Sequence, residues 1–188
     1  MPRKSTSNRI PVTPKMILKA WNRLEGVIIH TPLIFCQGLS DLVKCSVSVK
    51  WECLQRTGVF KIRGAYNKVA SLSSKAAEKG VITASTGNHG LAVAYAANQR
   101  GIPATVVVPV AASSLKVDKC KRYGAKVVVH GTNYDEAASH SVQLANETGA
   151  TLVHAYADPE VIAGQGTVGI EVLNDLPECD VLLVPVGG

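Results

Sequence analysis

Lys61 is the first side chain in this sequence equipped for covalent chemistry. It stands in Gly58-Val59-Phe60-Lys61-Ile62-Arg63-Gly64-Ala65, between a strand-like run and a helix-like run and next to an aromatic ring. A primary amine at the head of a helix can hold an aldehyde as a Schiff base, and burial can keep enough of it neutral to react. The competing reading is a solvated surface lysine, the usual state of this residue type. A second segment, Ser85-Thr86-Gly87-Asn88-His89-Gly90, lies between a strand and a helix. Such a turn aims backbone N–H groups and the positive end of a helix at one point, a site for carboxylate or phosphate. Its plain alternative is a capping turn. A third, Gly164-Gln165-Gly166-Thr167-Val168-Gly169, is a literal G-x-G-x-x-G. A dinucleotide site needs that motif directly after a strand, opening a helix. Here about nine residues separate it from the preceding strand, and Asp158-Pro159 already marks a helix start. Close helix packing explains the glycines better. Finally, Val184-Pro185-Val186-Gly187-Gly188 reads as a buried strand running into two glycines. Glycines beyond a parallel strand's carboxyl end let backbone N–H groups approach a phosphate.

The elements that must hold these segments alternate. Thr13-Pro14 with Ile17, Leu18, Trp21 and Leu24 predicts a capped amphipathic helix from Pro14 to about Glu25. Strands are predicted at Val47–Glu52, Val81–Ala84, Ala104–Val108, Lys126–Val129, Leu152–His154 and Val181–Val186. Helices are predicted over Ile62–Leu72, from Asn88 to Arg100, after Ser113-Ser114, from Asn133 to Glu147 and from Asp158 to Asn174. Gly124 and Gly149 punctuate helix ends, where glycine relieves a left-handed cap. This rhythm argues for an α/β fold of mainly parallel sheets with flanking helices.

Composition agrees. The chain has 188 residues, 46% hydrophobic and 18% charged, which suits a globular protein of one or two modest domains. Aromatics make up only 5%, so the core must come from Val, Ile, Leu and Ala, as in strands buried on both faces. The net charge of +6 concentrates near the N-terminus and in Lys116–Lys126. No nucleic-acid-binding motif accompanies the second cluster, so it reads as a solvated helix face and no nucleic-acid partner is expected. Cys36, Cys45, Cys53, Cys120 and Cys179 form no C-x-x-C pair, and the five histidines show no H-x-x-x-H spacing. No metal site is expected; reduced thiols and a cytoplasmic location are. The longest apolar stretch, Ala104 to Ala112, is about half of what crosses a bilayer, so no membrane partner is expected. The first 24 residues carry no acid, as in transit peptides, but the capped helix makes them part of the fold.

Taken jointly, the chain resembles the pyridoxal-phosphate (PLP) enzymes of the tryptophan synthase β-like fold type II, in particular the threonine/serine dehydratases and serine racemases. The matching pieces are Thr31-Pro32-Leu33, Leu54-Gln55 with Gly58, Phe60 to Ala65, Ser85 to His89, Gly164 to Thr167, and Val184 to Gly188. They occur in the family's order from Pro14 onward. The resemblance implies that Lys61 carries PLP and, once freed, acts as the base at the substrate Cα. It implies that Phe60 packs beside the cofactor ring and that Asn88 bonds its 3′-oxygen. Ser85, Thr86, Gly87, Asn88 and His89 would grip the substrate carboxylate, and Gly187 and Gly188 would begin the phosphate cradle. Gln165 and Thr167 would lie behind the site or serve helix packing. The expected reaction converts L-threonine or L-serine to a 2-oxo acid and ammonia. The expected architecture has two lobes, residues 1–66 plus 151–188 carrying the cofactor and residues 67–150 carrying the substrate loop. A homodimer fits the family pattern.

Two departures matter. Val59 stands where the family usually has Ser, which removes a helix-capping hydroxyl worth on the order of 1 kcal/mol. Thr86 stands where serine racemases carry the Ser that serves the opposite face of Cα; its stiffer, bulkier side chain tilts the expectation from racemase to dehydratase. The sequence ends inside the glycine loop, and the family continues beyond it. A partial chain that alone binds PLP poorly and turns over little is therefore expected. A serine racemase, or a non-catalytic remnant of such an enzyme, is the alternative.

Overall fold

The computed structural model describes residues 12–185. Helix α1 (Pro14–Leu24) starts on Thr13, whose side chain accepts from the Met16 N–H. A hairpin-like pair follows, β1 (Leu33–Phe35) and β2 (Ser48–Lys50), antiparallel and separated by helix α2 (Gln37–Val43). The expected strand Val47–Glu52 is thus shorter, and its end tightens into a 3₁₀ turn at Glu52–Leu54. Helix α3 (Lys61–Ser71) carries Lys61 as its first residue. Short α4 (Ser74–Glu78), capped by Ser73, leads into the main sheet.

That sheet is parallel, in the order β5 (Lys126–Val129), β4 (Ala104–Val108), β3 (Val81–Ala84), β6 (Thr151–Leu152). The strands alternate with helices α5 (Asn88–Arg100), α6 (Ser114–Arg122) and α7 (Tyr134–Thr148). Alternate strand residues serve opposite faces. Val81, Val106 and Val108 join the core with Ala92, Ala96 and Cys120, on the side of α5 and α6. Ile82, Ala84 and Val107 pack on Ala137 of α7. Both faces are covered, as a Val- and Ala-rich parallel sheet requires. Asn133 caps α7 by accepting from the Glu136 N–H, and Gly124 and Gly149 adopt φ values of 79° and 70°. Ser113 occupies the position before α6 without a side-chain cap bond.

Helix α8 (Pro159–Asp175) starts on Asp158, which accepts from the Glu160 and Val161 N–H groups. It crosses α3 where glycine meets glycine. A Cβ on Gly164 would stand 2.5 Å from the Arg63 carbonyl oxygen and 2.7 Å from Gly64 Cα. A Cβ on Gly166 would press on Ile17 of α1 at 3.1 Å. The G-x-G-x-x-G motif therefore lies inside a helix as a packing surface, and the dinucleotide geometry is absent. Gly164→Ala is expected to cost about 2–3 kcal/mol, because backbone rather than a flexible side chain blocks the methyl. Urea unfolding of the variant checks this.

The expected strand Val181–Val186 does not form over 181–185, and Val186 lies outside the described residues. Residues 181–185 carry no strand assignment, and Val181, Leu182, Leu183 and Val184 are exposed. An apolar run becomes a strand only where it pairs with a neighbouring ladder, and residues 181–185 pair with none among the described residues.

Candidate functional site

Lys61 opens α3 on the Phe60 residue, which supplies no side-chain cap. The missing capping hydroxyl is replaced from another helix: Gln165 Oε1 of α8 accepts from the Gly64 N–H at 3.2 Å. The Lys61 amine is half-buried, 5.2 Å from the Phe60 ring centroid and 3.5 Å from the Ala155 carbonyl oxygen. Burial lowers its pKa from the ordinary lysine value, which raises the neutral fraction able to attack a carbonyl.

The second sequence motif sits at the start of α5, next to the carboxyl end of β3. Ser85 is buried and its Oγ accepts from the Gly87 N–H at 2.9 Å. Thr86 and Asn88 are exposed. Gly87 precedes α5 with no side-chain cap, so the first turn presents its N–H groups outward. Gly90 lets that turn seat on the sheet, since a Cβ there would stand 2.7 Å from Val106 Cγ1. Gly187 and Gly188 lie outside the described residues.

His89 ties the turn to the segment that follows β6. Its ring is buried, and Nε2 lies 3.0 Å from the Val153 carbonyl oxygen, which assigns the N–H to Nε2. Nδ1 is buried without a partner among the described residues. Burial pushes the pKa down to about 4 against the favourable carbonyl bond, and the nearby Lys61 and His154 charges lower it further. His89 is therefore neutral near pH 7. Its folded pKa lies below the unfolded value of 6.5, so the unfolded chain gains a proton first as pH falls. Stability is expected to drop between about pH 6.5 and pH 4, by up to roughly 3 kcal/mol, and then level off for this group. Urea midpoints of the wild type and His89→Gln across that range check this; the variant should lose most of the slope.

His154 was not singled out in the sequence. Its Nδ1 accepts from the Tyr156 and Ala157 N–H groups at 3.3 and 3.0 Å, which fixes the ring beside Ala155. No spacing rule signals it, because its relation to Lys61 depends on the β6–α8 connection.

A buried ionic network underlies α3. Arg63 is fully buried and forks onto Glu52, with Nε–Oε2 at 2.8 Å and Nη2–Oε1 at 2.7 Å. Its Nη1 donates to Glu171 Oε1 at 2.7 Å and to Thr167 Oγ1 at 3.3 Å. Glu171 also pairs with Lys50 at 2.7 Å, and Lys50 donates to the Thr31 carbonyl at 2.5 Å. Thr31 Oγ1 donates to Glu52 at 2.6 Å and closes the ring. Burial alone would lower the Arg63 pKa; the bonds to Glu52 and Glu171 outweigh it and raise it. Burial alone would raise that of Glu171; Arg63 and Lys50 lower it. Thr167 and Gln165 thus serve α3 rather than an open surface.

Comparison with known proteins bears on these residues. Residues 24–188 match the family described as pyridoxal-phosphate dependent enzyme. An L-threonine ammonia-lyase of Thermotoga maritima is 45% identical over 177 residues, covering 94% of this chain and 44% of that protein. A serine racemase of Oryza sativa is 41% identical over 172 residues, covering 92% of this chain and 51% of that protein. The solved structure of maize serine racemase superposes with a TM-score of 0.86 at 37% identity, over 90% of this chain and 51% of that one. The chain spans about half the length of the curated relatives it matches. No helix among the described residues is long and apolar enough to cross a membrane.

Proposed function

Because the chain belongs to the pyridoxal-phosphate dependent enzyme family, we propose that it carries the cofactor-anchoring and substrate-gripping half of a threonine/serine ammonia-lyase. The observation that carries this is the Lys61 amine: half-buried, lowered in pKa, and bonded only to a carbonyl at 3.5 Å among the described residues. A lysine spent on a structural ion pair would be held closer and by a carboxylate, as Lys50 and Lys68 are.

The donor set fits PLP. Its aldehyde requires a primary amine with an accessible neutral form, which Lys61 supplies. Asn88 offers an exposed carboxamide at the first residue of α5, and Phe60 offers a ring face beside Lys61. Gly187 and Gly188 complete the set as the expected start of the phosphate cradle. When bound, PLP supplies the electron sink that makes a proton at the substrate Cα removable.

The residues of this chain then divide the work. The uncapped first turn of α5, with Ser85, Thr86, Gly87, Asn88 and His89, holds the substrate carboxylate and fixes its orientation. His89 contributes there through its backbone N–H, because its ring N–H already donates to the Val153 carbonyl. Lys61 Nζ takes the proton from Cα, a role favoured by the burial that lowers its pKa. Phe60 walls one side and excludes water. The β-hydroxyl of the substrate departs, giving a 2-oxo acid and ammonia after hydrolysis. Thr86, with its restricted χ1, disfavours service to the opposite face of Cα and so favours the lyase over a serine racemase.

We place the cofactor lobe at residues 1–66 plus 151–188 and the substrate lobe at 67–150. β6 pairs with β3, so the lobes would share that strand. A cytoplasmic homodimer belongs to the same proposal; the five free cysteines accord with a reducing compartment. The test is incubation of the full-length form, this chain completed to the length of its relatives, with L-threonine and with L-serine in the presence of PLP. Ammonia and 2-oxo acid should form, with little D-serine. D-serine formed as fast as ammonia would support the racemase instead, and a full-length form that takes no cofactor on Lys61 would support a non-catalytic remnant.

A further inference from the structure

We propose that Gln165 is a positioning residue for Lys61: its uncharged side-chain amide caps the first turn of α3 and holds the amine in place without offering it a counter-charge. This rests on the function proposed above. Phe60 gives α3 no side-chain cap. The Arg63 N–H turns back to the Phe60 carbonyl at 3.0 Å, and the Gly64 N–H goes to Gln165 Oε1 at 3.2 Å. Gly64 stands three residues after Lys61, so this bond closes the turn that Lys61 opens. The approach is close because Gly64 has no side chain. A Cβ there would stand 2.6 Å from Gln165 Nε2 and 2.5 Å from the Val161 carbonyl oxygen of α8.

An amide at this place is more than a packing choice. Nε2 is buried without a partner among the described residues, and an unmatched buried donor costs stability. A carboxylate would carry no such donor. It would also make a charge-assisted bond to the same N–H and suit the positive end of the helix. On stability alone glutamate is therefore the better cap. Its charge, however, would act on the amine that opens the same turn. An anion beside a lysine favours the ammonium, the form that cannot attack a carbonyl. The surroundings of Lys61 follow the same rule. No carboxylate lies within ion-pair distance of its amine among the described residues. Glu52 and Glu171, which underlie α3, are taken up by Arg63 and Lys50. The other titratable groups around it are His89 of α5, on which Lys61 and His154 both act, and neither imidazole supplies a negative charge. Burial lowers the Lys61 pKa, and a neutral cap leaves that effect uncancelled.

The experiment compares wild type, Gln165→Glu and Gln165→Leu in the full-length form. Borohydride trapping of PLP on Lys61 is measured first, in the wild type. The three cofactor-free proteins are then labelled with traces of acetic anhydride across a pH series. The reagent acylates neutral amines, so the yield on the Lys61 peptide, read by mass spectrometry beside that of exposed Lys121, follows the titration of each amine. Urea midpoints are taken on the same samples. Gln165→Glu should keep or raise the urea midpoint, yet move the Lys61 labelling midpoint up by about one pH unit, which is about tenfold less neutral amine at a given pH below it. Gln165→Leu should lower the urea midpoint and move Lys61 toward the behaviour of Lys121, because the turn opens. A Lys61 midpoint unchanged in Gln165→Glu would overturn the proposal, and this variant decides even where Gln165→Leu fails to fold. A folded Gln165→Leu protein that labels like the wild type would overturn it too, by reducing Gln165 to a packing residue. A wild type that traps no PLP on Lys61 would overturn the parent reading and the purpose assigned to the cap with it, whatever the midpoints show.

Discussion

Replacing Lys61 by alanine in the full-length form should lower ammonia release from L-threonine by at least about 10³-fold while leaving the fold intact. The rate loss follows from the role of the amine, which acts both as anchor and as base at Cα; a positioned base alone contributes about 10²–10⁴-fold. The intact fold follows from the geometry. Lys61 Nζ reaches one carbonyl, at 3.5 Å, and no carboxylate among the described residues. Its removal should therefore shift stability by no more than roughly 0.5 kcal/mol. Lys61→Arg should be equally inactive, because a guanidinium does not lose its proton in this pH range. Circular dichroism and urea midpoints beside the kinetic assay check both halves. A Lys61→Ala protein with substantial turnover would contradict the assignment of the base.

Arg63 gives the second large effect, and it falls on stability. Arg63→Met should destabilise the protein by about 3–5 kcal/mol, because it strands Glu52 and Glu171 without their shared cation. Lys50 remains on Glu171 and tempers the loss there, but nothing among the described residues replaces the two-bond fork on Glu52. Arg63→Lys should recover only part, since an ammonium does not reproduce a planar fork. The double change Arg63→Met, Glu171→Leu should be less destabilised than the sum of its parts, because the second change removes one stranded charge. Urea denaturation measures all three. A cost under about 1 kcal/mol for Arg63→Met would show that Glu52 and Glu171 find other partners or water.

From Val81 onward the architecture was readable because its signals are local. Val- and Ala-rich runs mark strands buried on both faces, and Asn133, Asp158, Gly124 and Gly149 mark helix ends with residues that satisfy specific backbone groups. The β1–β2 pair was not readable. Its strands are three residues each, and a whole helix separates them, so neither periodicity nor a turn residue announces the pairing. The run Val181–Val184 misled for the opposite reason: its apolar content is local, but pairing is not.

The chemistry divides along the same line. Lys61 and the Ser85–Gly90 turn are contiguous motifs and stand out in the sequence. The features that give them their surroundings are contacts across the chain. Gln165 caps the helix of Lys61 from 101 residues away, and Arg63 meets Glu171 across 108. His154 acquires its position only through the β6–α8 connection, and Lys116 only when α6 packs on α5 and lays its side chain 2.6 Å from where a Gly87 Cβ would stand. A charge run predicts a solvated face on average, and it cannot show that one of its lysines leans over a glycine on another element.

The account turns on where the cofactor attaches. Incubation of the full-length form with PLP, reduction with borohydride and peptide mapping by mass spectrometry would decide it. The reduced cofactor should appear on the peptide that contains Lys61 and be absent from the Lys61→Ala protein. Label on a different lysine, or label that persists after that substitution, would contradict it.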